Sequence, residues 1–387
     1  MQQKIAIIIN SLATGGAEKT AGLLMNQLYP EMDVHLLMFN TTNIEFEIPE
    51  GVKIYQIGKP TSAEARPIQV LKLPLQALQI KKYLKKNKIS LVFSILNRPN
   101  FIAGYLKLFG YKGKTIINER SNASYYYTNK TPGGMLGRFL VKRLYRRADC
   151  IITNSIFSKK DLQQTFGLNN TIITISNGID YKTIRQRLPA IQLPLEKKPG
   201  EFIFCHVGRF HADKNQPLLV KAFALLKEDN CRLVIVGKNI PQQLTQLAIK
   251  LKIENKVILK DLQADILPWY AAADAFVLCS NVEGYPNVII EAMACGLPVI
   301  ATDCKWGPRE ILAPETNYPV DGIKEIEWAK NGILVNTNNE AMLAQAMQQL
   351  MKDKQRYNSY KIQLQTAIAA FDEDVAMEAF KKVIYTI

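Results

Sequence analysis

The chain opens on "KIAIIIN" (residues 4–10), an unbroken run of branched apolar residues typical of a strand buried on both faces. Behind it "TGGAEKTAGLLMNQL" reads as a glycine turn opening a helix. Strand and helix then alternate through "DVHLLMF", "VKIYQI", segment 68–86, "ISLVFSI", segment 101–109, "KTIINE", segment 134–147 and "CIITNS". Such alternation predicts a parallel sheet covered by helices. The pattern breaks at "NGIDYKTIRQRLPAIQLPLEKKPGE", where turn residues precede several prolines among polar residues, so 181–200 is expected to be an interdomain linker. A second series follows: "FIFCHVG", 216–227, "RLVIVG", 241–251, "KVILK", 266–272, "AFVLCS", "NVIIEAMACG", "PVIAT", "GILV" and a helical tail. The expected fold class is α/β, with two Rossmann-like parallel-sheet domains facing each other across a cleft. They cover 1–180 and 201–365, and a C-terminal helix within 366–387 returns to the first. In open sheets of this kind ligands bind beyond the carboxyl ends of the strands, so chemistry is sought on the loops there.

A length of 387 residues agrees with two domains of about 150–200 residues each. With 48% hydrophobic and 21% charged residues the composition is that of a soluble globular protein. No run of about 18 apolar residues occurs, and the first apolar run is too short for a signal-peptide core, so a cytoplasmic protein is expected. The cysteines at 150, 205, 231, 279, 295 and 304 form no CxxC pair and read as buried, reduced thiols. His35, His206 and His211 are not at ligand spacing, which argues against a zinc site. No HExxH, GxSxG or Walker A sequence appears. The net charge of +15 is unevenly spread: residues 1–187 carry 27 Lys and Arg against 11 Asp and Glu, and residues 188–387 carry 22 against 23. All of the excess lies in the first half, which points to a polyanionic partner there, either nucleic acid or an anionic membrane surface.

Four features fall on loops after strands. In "SLATGGAEKT", Gly15 and Gly16 make a tight strand-to-helix turn or allow the backbone to approach a phosphate or sugar. In "VGRFHADKN", Arg209 supplies paired planar donors and Lys214 a point charge, a combination suited to a diphosphate. In "EGYPNVIIE", Glu283 lies in a loop, Pro286 suits a first helical turn, and the amides of Asn287 and Val288 then form an anion site at the helix start. Glu283 would also be favourable there through the dipole alone. Glu291 lies about one and a half turns into a helix that is otherwise apolar all round, so its carboxylate needs a partner. The fourth feature, "NGID", reads equally well as a turn.

Taken in this order and at these separations, "GGAE", "RADCIITNS", "NGID", "VGRFHADKN", "LPWYAAADAFVLCSNVEGYPNVIIEAMACGLPVIATD" and "GPREIL" resemble the retaining glycosyltransferases of family 4, which have the GT-B fold. The resemblance implies a basic acceptor domain first and a nucleotide-sugar domain second. It implies that Glu291 binds the donor's ribose, that Glu283 binds the hydroxyls of the transferred sugar, and that Arg209 and Lys214 hold the diphosphate with the amides of Asn287 and Val288. Gly16 would let the first domain close nearby. It further implies a same-face displacement through an oxocarbenium-like state, with no metal and no cofactor, and a donor that is probed first among UDP-linked hexoses and N-acetylhexosamines. Two departures stand out. Arg120 occupies a position where many relatives carry a His, and the segment 313–331 is long, with Tyr318 and Trp328 placed to shape a donor pocket or merely cover its rim.

Within the basic half, "RPIQVLKLPLQALQIKKYLKKNK" and "GGMLGRFLVKRLYRRAD" combine apolar positions at helical spacing with clustered cations. Such helices lie on membrane surfaces or pack on a sheet, and Lys81, Lys82, Lys85 and Lys86, with Arg120, are the expected acceptor-side cations. The expectation is a peripheral enzyme on the cytosolic face of the inner membrane that extends a lipid-linked glycan in lipopolysaccharide, capsule or glycoconjugate biosynthesis. Its rivals are a GT-B-like sugar-nucleotide epimerase, an inactive donor-binding subunit and a nucleic-acid-binding protein. The last has no recognition motif to support it and leaves Glu283 and Glu291 without a role.

Overall fold

The computed structural model describes residues 2–13, 15–42, 44–59, 66–319 and 322–387. Thr14 of the glycine turn and Val320 and Asp321 of the long segment lie outside them. The chain divides into two compact units, Met1–Asn177 with Asp374–Ile387, and Gly178–Glu373.

The first unit holds strands β1 (Lys4–Ile9), β2 (Asp33–Met38), β3 (Lys53–Gln56), β4 (Leu91–Ile95), β5 (Lys114–Glu119), β6 (Cys150–Thr153) and β7 (Thr171–Thr174). They form one sheet in the order β3-β2-β1-β4-β5-β6-β7, and every pairing is parallel. Helices α1 (Gly16–Leu28), α2 (Arg66–Asn87), α3 (Asn97–Leu108), α4 (Ala123–Tyr126), α5 (Pro132–Leu144) and α6 (Ile156–Gln164) connect them. The branched runs of β1 and β4 are buried throughout because both sheet faces are covered. One face packs on α2, α3 and α5 through Leu84, Ile102 and Val141, the other on α1 through Leu24 and Leu28.

The second unit opens with α7 (Tyr181–Arg187) and continues through β8 (Phe202–Val207), α8 (Gln216–Leu225), β9 (Cys231–Val236), α9 (Gln242–Lys250), β10 (Val257–Lys260), α10 (Leu267–Ala272) and β11 (Ala275–Leu278). It then runs through α11 (Asn287–Ala294), β12 (Val299–Thr302), α12 (Pro308–Leu312), β13 (Glu327–Ala329), β14 (Gly332–Val335), α13 (Glu340–Lys352) and α14 (Lys354–Ala367). The sheet order is β10-β9-β8-β11-β12-β14-β13, with the edge strand β13 antiparallel. The fold class is therefore α/β with two Rossmann-like domains.

Three segments differ in detail from the pattern in the sequence. The stretch 181–200 is no free spacer: Asp180 caps α7 by accepting from the Thr183 N–H, Tyr181, Ile184 and Ile191 pack on the second unit's core, and Arg185 donates to the carbonyls of Ala294, Leu364 and Gln365. Its prolines and polar residues masked these few apolar anchors. Helix α6 escaped the pattern because only Ser158 and Leu162 are buried on it; its signal is the Ser155 cap, which accepts from the Ser158 N–H. At the far end Ile368 and Phe371 still belong to the second unit's core, and the chain then enters α15 (Glu373–Thr386), whose Met377, Phe380 and Ile384 pack on the first unit. All six cysteines are free, and Cys295 is the most exposed of them.

Candidate active site

In each sheet the strand order reverses once, between β1 and β4 and between β8 and β11, and the loops leaving such neighbouring strands in opposite directions open a crevice at their carboxyl ends. In the second unit that crevice collects the residues singled out in the sequence. Arg209 follows β8 and is exposed, and its carbonyl accepts from Gln216 Nε2 at 3.0 Å. Lys214 ends a short 3₁₀ turn, and its ammonium meets both oxygens of Glu283, at 2.6 and 2.7 Å. Glu283 is buried after β11, and its Oε1 also accepts from Ser280 Oγ at 2.6 Å. A buried carboxylate without such partners would carry a desolvation cost of several kcal/mol.

The two loops are joined through their backbones as well. The Asn281 N–H donates to the Asp213 carbonyl at 2.7 Å, and Asn215, in the left-handed region at φ 49°, donates through Nδ2 to Asn281 Oδ1 and Asn338 Oδ1, each at 3.1 Å. Asn tolerates that conformation better than most residues, which explains its place after Lys214. Thr302 Oγ1 donates to the Ser280 carbonyl from β12. The Lys214–Glu283 pair is therefore held on three strands.

Asn287 and Val288 open α11 behind the cap residue Pro286. The first amides of a helix have no acceptor within it, and the positive end of the dipole lies there. Glu291 is half-buried on the same helix, and its Oε2 accepts from the Tyr270 hydroxyl at 3.1 Å. Tyr270 is fully buried, and burial with the neighbouring carboxylate raises its pKa, so the phenol remains a donor that orients Glu291.

The loop after β12 completes the crevice wall. Gly307 has φ 91°, and a Cβ there would come within 2.4 Å of Pro286 and 3.1 Å of the Gly284 carbonyl. Only glycine lets "GPREIL" lie against "EGYP". Arg309 fixes the loop from below: its guanidinium donates to Asp303 at 2.8–3.1 Å, to Glu327 at 2.7 and 3.1 Å and to Thr316 at 2.6 Å, all with the Arg309 and Asp303 side chains buried. Tyr318 donates to the Asp303 carbonyl at 3.0 Å. Trp328 does not belong to this wall. It lies on the edge strand beneath the Arg356 guanidinium, 4.0 Å from its ring centre, and packs on the core. Tyr270, Ser280, Asp303 and Arg309 receive no role from the sequence, although all four lie within its longest motif and "GPREIL".

His206 sits under the crevice, fully buried, with Nδ1 2.8 Å from the Val277 carbonyl and its ring stacked on Phe276. Since a carbonyl only accepts, Nδ1 carries the proton, and burial lowers the imidazole pKa to about 4.

In the first unit, Gly16 begins α1, and Gly15 before it is extended at φ 169°, outside the left-handed region. The Glu18 carboxylate folds back over this turn, so a Cβ at Gly15 would lie 2.2 Å from its Oε2, a contact that the flexible Glu18 side chain can relieve by turning away. Arg120, following β5, donates to Thr20 Oγ1 at 3.0 Å and to the Gly16 carbonyl at 3.4 Å. Burial raises the Glu18 pKa while a backbone N–H and Arg120 oppose that rise. The structure does not bring Lys81, Lys82, Lys85 and Lys86 to Arg120. They end α2 just before β4 begins, at the opposite edge of the sheet, roughly 17 Å away along a five-residue strand. The Lys81 ammonium is moreover bound to the Phe109 carbonyl. Adjacent basic and apolar letters did not reveal which end of the helix they occupied.

Among the described residues no cluster of three or more His, Cys, Asp or Glu could hold a metal, and no helix is long and apolar enough to cross a membrane.

The family model described as Glycosyltransferase Family 4 matches residues 14–183, and that described as Glycosyl transferases group 1 matches 190–365. An N-acetylgalactosamine-N,N'-diacetylbacillosaminyl-diphospho-undecaprenol 4-alpha-N-acetylgalactosaminyltransferase of Campylobacter jejuni is 34% identical over 98% of this chain and 99% of its own. Among solved structures, sucrose-phosphate synthase of Thermosynechococcus elongatus has a TM-score of 0.78 at 20% identity, covering 99% of this chain and 98% of that one. The Anabaena HepE protein in complex with UDP has a TM-score of 0.77 at 19% identity, with both chains fully covered. Those structures share the fold; the family models and the full-length relative establish that this chain is a glycosyltransferase of family 4, with the GT-B type of two Rossmann-like domains.

Proposed function

We propose that the enzyme moves a hexose or N-acetylhexosamine from a UDP-sugar to a lipid-linked glycan acceptor, with retention of anomeric configuration and without a metal ion or other cofactor. The observation that carries this reading is the Lys214–Glu283 pair spanning the β8–β11 crevice with Arg209 exposed beside it. Arg209, the remaining N–H of Lys214 and the amides of Asn287 and Val288 would take the diphosphate. Glu283 would bind the sugar: its Oε2 accepts only from Lys214 among the described residues, which leaves a lone pair for a hydroxyl. Glu291, oriented by Tyr270, would bind the ribose. As the glycosidic bond breaks, positive charge develops on the sugar and negative charge on the departing diphosphate, and the cations stabilise the latter. A diphosphate oxygen would take the proton from the attacking hydroxyl on the same face. Gly16 would let the first domain close near the diphosphate, and Arg120 would belong to the acceptor side.

The Campylobacter relative, whose name gives an undecaprenol-linked acceptor and an α product, supports this substrate class. Common UDP-hexosamines are themselves α-linked, so an α product here means retention. The same reading makes the protein peripheral at the cytosolic face of an anionic inner membrane, acts in lipopolysaccharide or related glycan assembly, and assigns it no nucleic-acid partner.

A panel of UDP-, GDP- and ADP-sugars with a prenyl-diphosphate-linked saccharide, read by NMR of the product anomer, tests it. Transfer from a UDP-sugar with retention, unaffected by EDTA, is expected. An inverted product, or activity lost to EDTA and restored by Mg²⁺, would overturn the mechanism; conversion of donor to an epimer without acceptor would favour the epimerase instead.

A further inference from the structure

The chain has three tryptophans, and two of them serve the fold. Trp269 is buried in a small cluster with Ile203, Val234 and Val236, and Trp328 packs on the core that α8 and α13 build over the sheet. The third, Trp306, is half-buried and enters none of the hydrophobic cores formed among the described residues. Its backbone is left-handed, at φ 70°, and among the described residues it is the only aromatic with positive φ. A bulky side chain in that region is a conformational outlier, and such outliers persist only where the surroundings fix the backbone. Glycine would hold the same φ without strain, so the turn itself gives no reason for an indole.

The turn is fixed from both sides. Before it, Lys305 forms a parallel bridge with Val282, and Cys304 is buried, its thiol pKa raised by burial and by the nearby Glu283 carboxylate. After it, Gly307 lies against Pro286 and the Gly284 carbonyl, and Arg309 grips Asp303 beneath. Because Val282 and Lys305 pair in parallel, their successors Glu283 and Trp306 leave the bridge side by side. The strained aromatic therefore stands next to the buried carboxylate of the crevice, and the rest of the wall is built to keep it there.

An indole brings no charge to a diphosphate and only one N–H to a sugar. Pressed against hydroxyls it would strip their water without replacing those hydrogen bonds, whereas against a methyl group it removes apolar surface from water. Of the two sugar classes left open above, only an N-acetylhexosamine carries such a group, at the end of its acetamido substituent. We propose that Trp306 selects an N-acetylhexosamine over a plain hexose, its ring receiving the acetamido methyl while Glu283 holds the sugar hydroxyls. The assignment rests on the reading of this crevice as the UDP-sugar site and narrows it to one sugar class. One methyl group received by an apolar surface discriminates by about 10- to 200-fold, the order of selectivity expected here.

Calorimetric binding to the full-length protein tests this, with UDP and two matched pairs: UDP-galactose with UDP-N-acetylgalactosamine, and UDP-glucose with UDP-N-acetylglucosamine. The variants are Trp306→Gly and Trp306→Asn, which suit the left-handed backbone and remove the ring, and Trp306→Phe, which keeps one. In the tighter-binding pair, wild type should favour the N-acetylated donor by about tenfold or more, and Trp306→Phe should keep most of that preference. Trp306→Gly and Trp306→Asn should bring it to within about threefold while UDP affinity stays within about twofold of wild type. A preference absent from wild type in both pairs, a preference that survives loss of the ring, or UDP affinity that falls as far as that of the UDP-sugar would overturn the proposal. So would a melting temperature lowered alike in the Gly and Asn proteins, which would make Trp306 a residue of the fold. The expected binding pattern in a protein that transfers no sugar to a lipid-linked acceptor, or that transfers with inversion, would uphold Trp306 and sink the reaction proposed above. Wild type that binds none of the five compounds would sink both.

Discussion

The two strand-end crevices of this molecule share a topology and differ in chemistry. Between β8 and β11 stand an exposed Arg209 and the Lys214–Glu283 pair, positive charge in reach of a helix start. Around the corresponding edge of the first unit stand the amides of Asn10, Asn118 and Asn154, Arg98 stacked over Phe39 and Arg120 bound to Thr20 and Gly16, and the start of α1 is already faced by the carboxylate of Glu18. The cations of the second-unit crevice stand exposed or paired with Glu283 beside a helix start, whereas those of the first unit are engaged by Thr20, Gly16 and the Phe39 ring. Much of the excess positive charge of the first half lies on α2 and α5, away from that edge.

Removing Lys214 should break the contrast most severely. Lys214→Ala leaves Glu283 buried with Ser280 Oγ as its donor and takes away the proposed donor to the leaving group, so kcat/KM is expected to fall by about 10² to 10³. Steady-state kinetics with a far-UV melting curve as folding control would show it; activity within threefold of wild type would remove Lys214 from the site.

The buried histidines sharpen the comparison at an intermediate scale. His35 on β2 has its ring 3.4 Å from Asp33 and hydrogen-bonds Tyr83, so its lowered pKa, caused by burial, is opposed by a carboxylate. His206 has only the Val277 carbonyl in support and Lys214 adding to the shift, and it stays neutral down to about pH 4. Between about pH 6.5 and 4 the unfolded chain binds the proton that folded His206 refuses, so stability is lost as pH falls, by up to about 1.4 kcal/mol per pH unit. Hydrogen exchange should accordingly show acid loosening in β8 and β11 before β2. Loss of protection in β2 first would contradict this order.

The smallest effect is expected at Arg120. Its bonds to Thr20 and Gly16 position the start of α1 at the edge proposed for the acceptor, so Arg120→Ala should raise the acceptor KM several-fold, on the order of 1 kcal/mol, and leave donor hydrolysis unchanged. A change confined to donor KM would move Arg120 to the other side of the reaction.

Much of the site could be read along the chain, because its residues fall on short loops after strongly apolar strands. Arg209 and Lys214 lie five residues apart, and Glu283, Asn287, Val288 and Glu291 lie within nine. What could not be read is every relation between distant segments. Tyr270 reaches Glu291 across 21 positions, Gly307 fits against Pro286 from the next loop, and Arg309 gathers Asp303 from before the long segment 313–331 and Glu327 from within it.

By itself, the sequence determined the alternation of strand and helix, the division into two domains and the clustering of cations, carboxylates and a helix start on the loops after β8 and β11, since burial pattern and turn chemistry are local properties. Tertiary structure decided that Lys214 and Glu283 pair with each other, that Lys82, Lys85 and Lys86 stand at the far edge from Arg120, and that Leu71 and Phe139 face outward. A helix with apolar residues on two faces does not announce which face the sheet will take. That choice is made by packing of α2 and α5 against α3 and the strands beneath, and it leaves the second apolar face for something outside the fold.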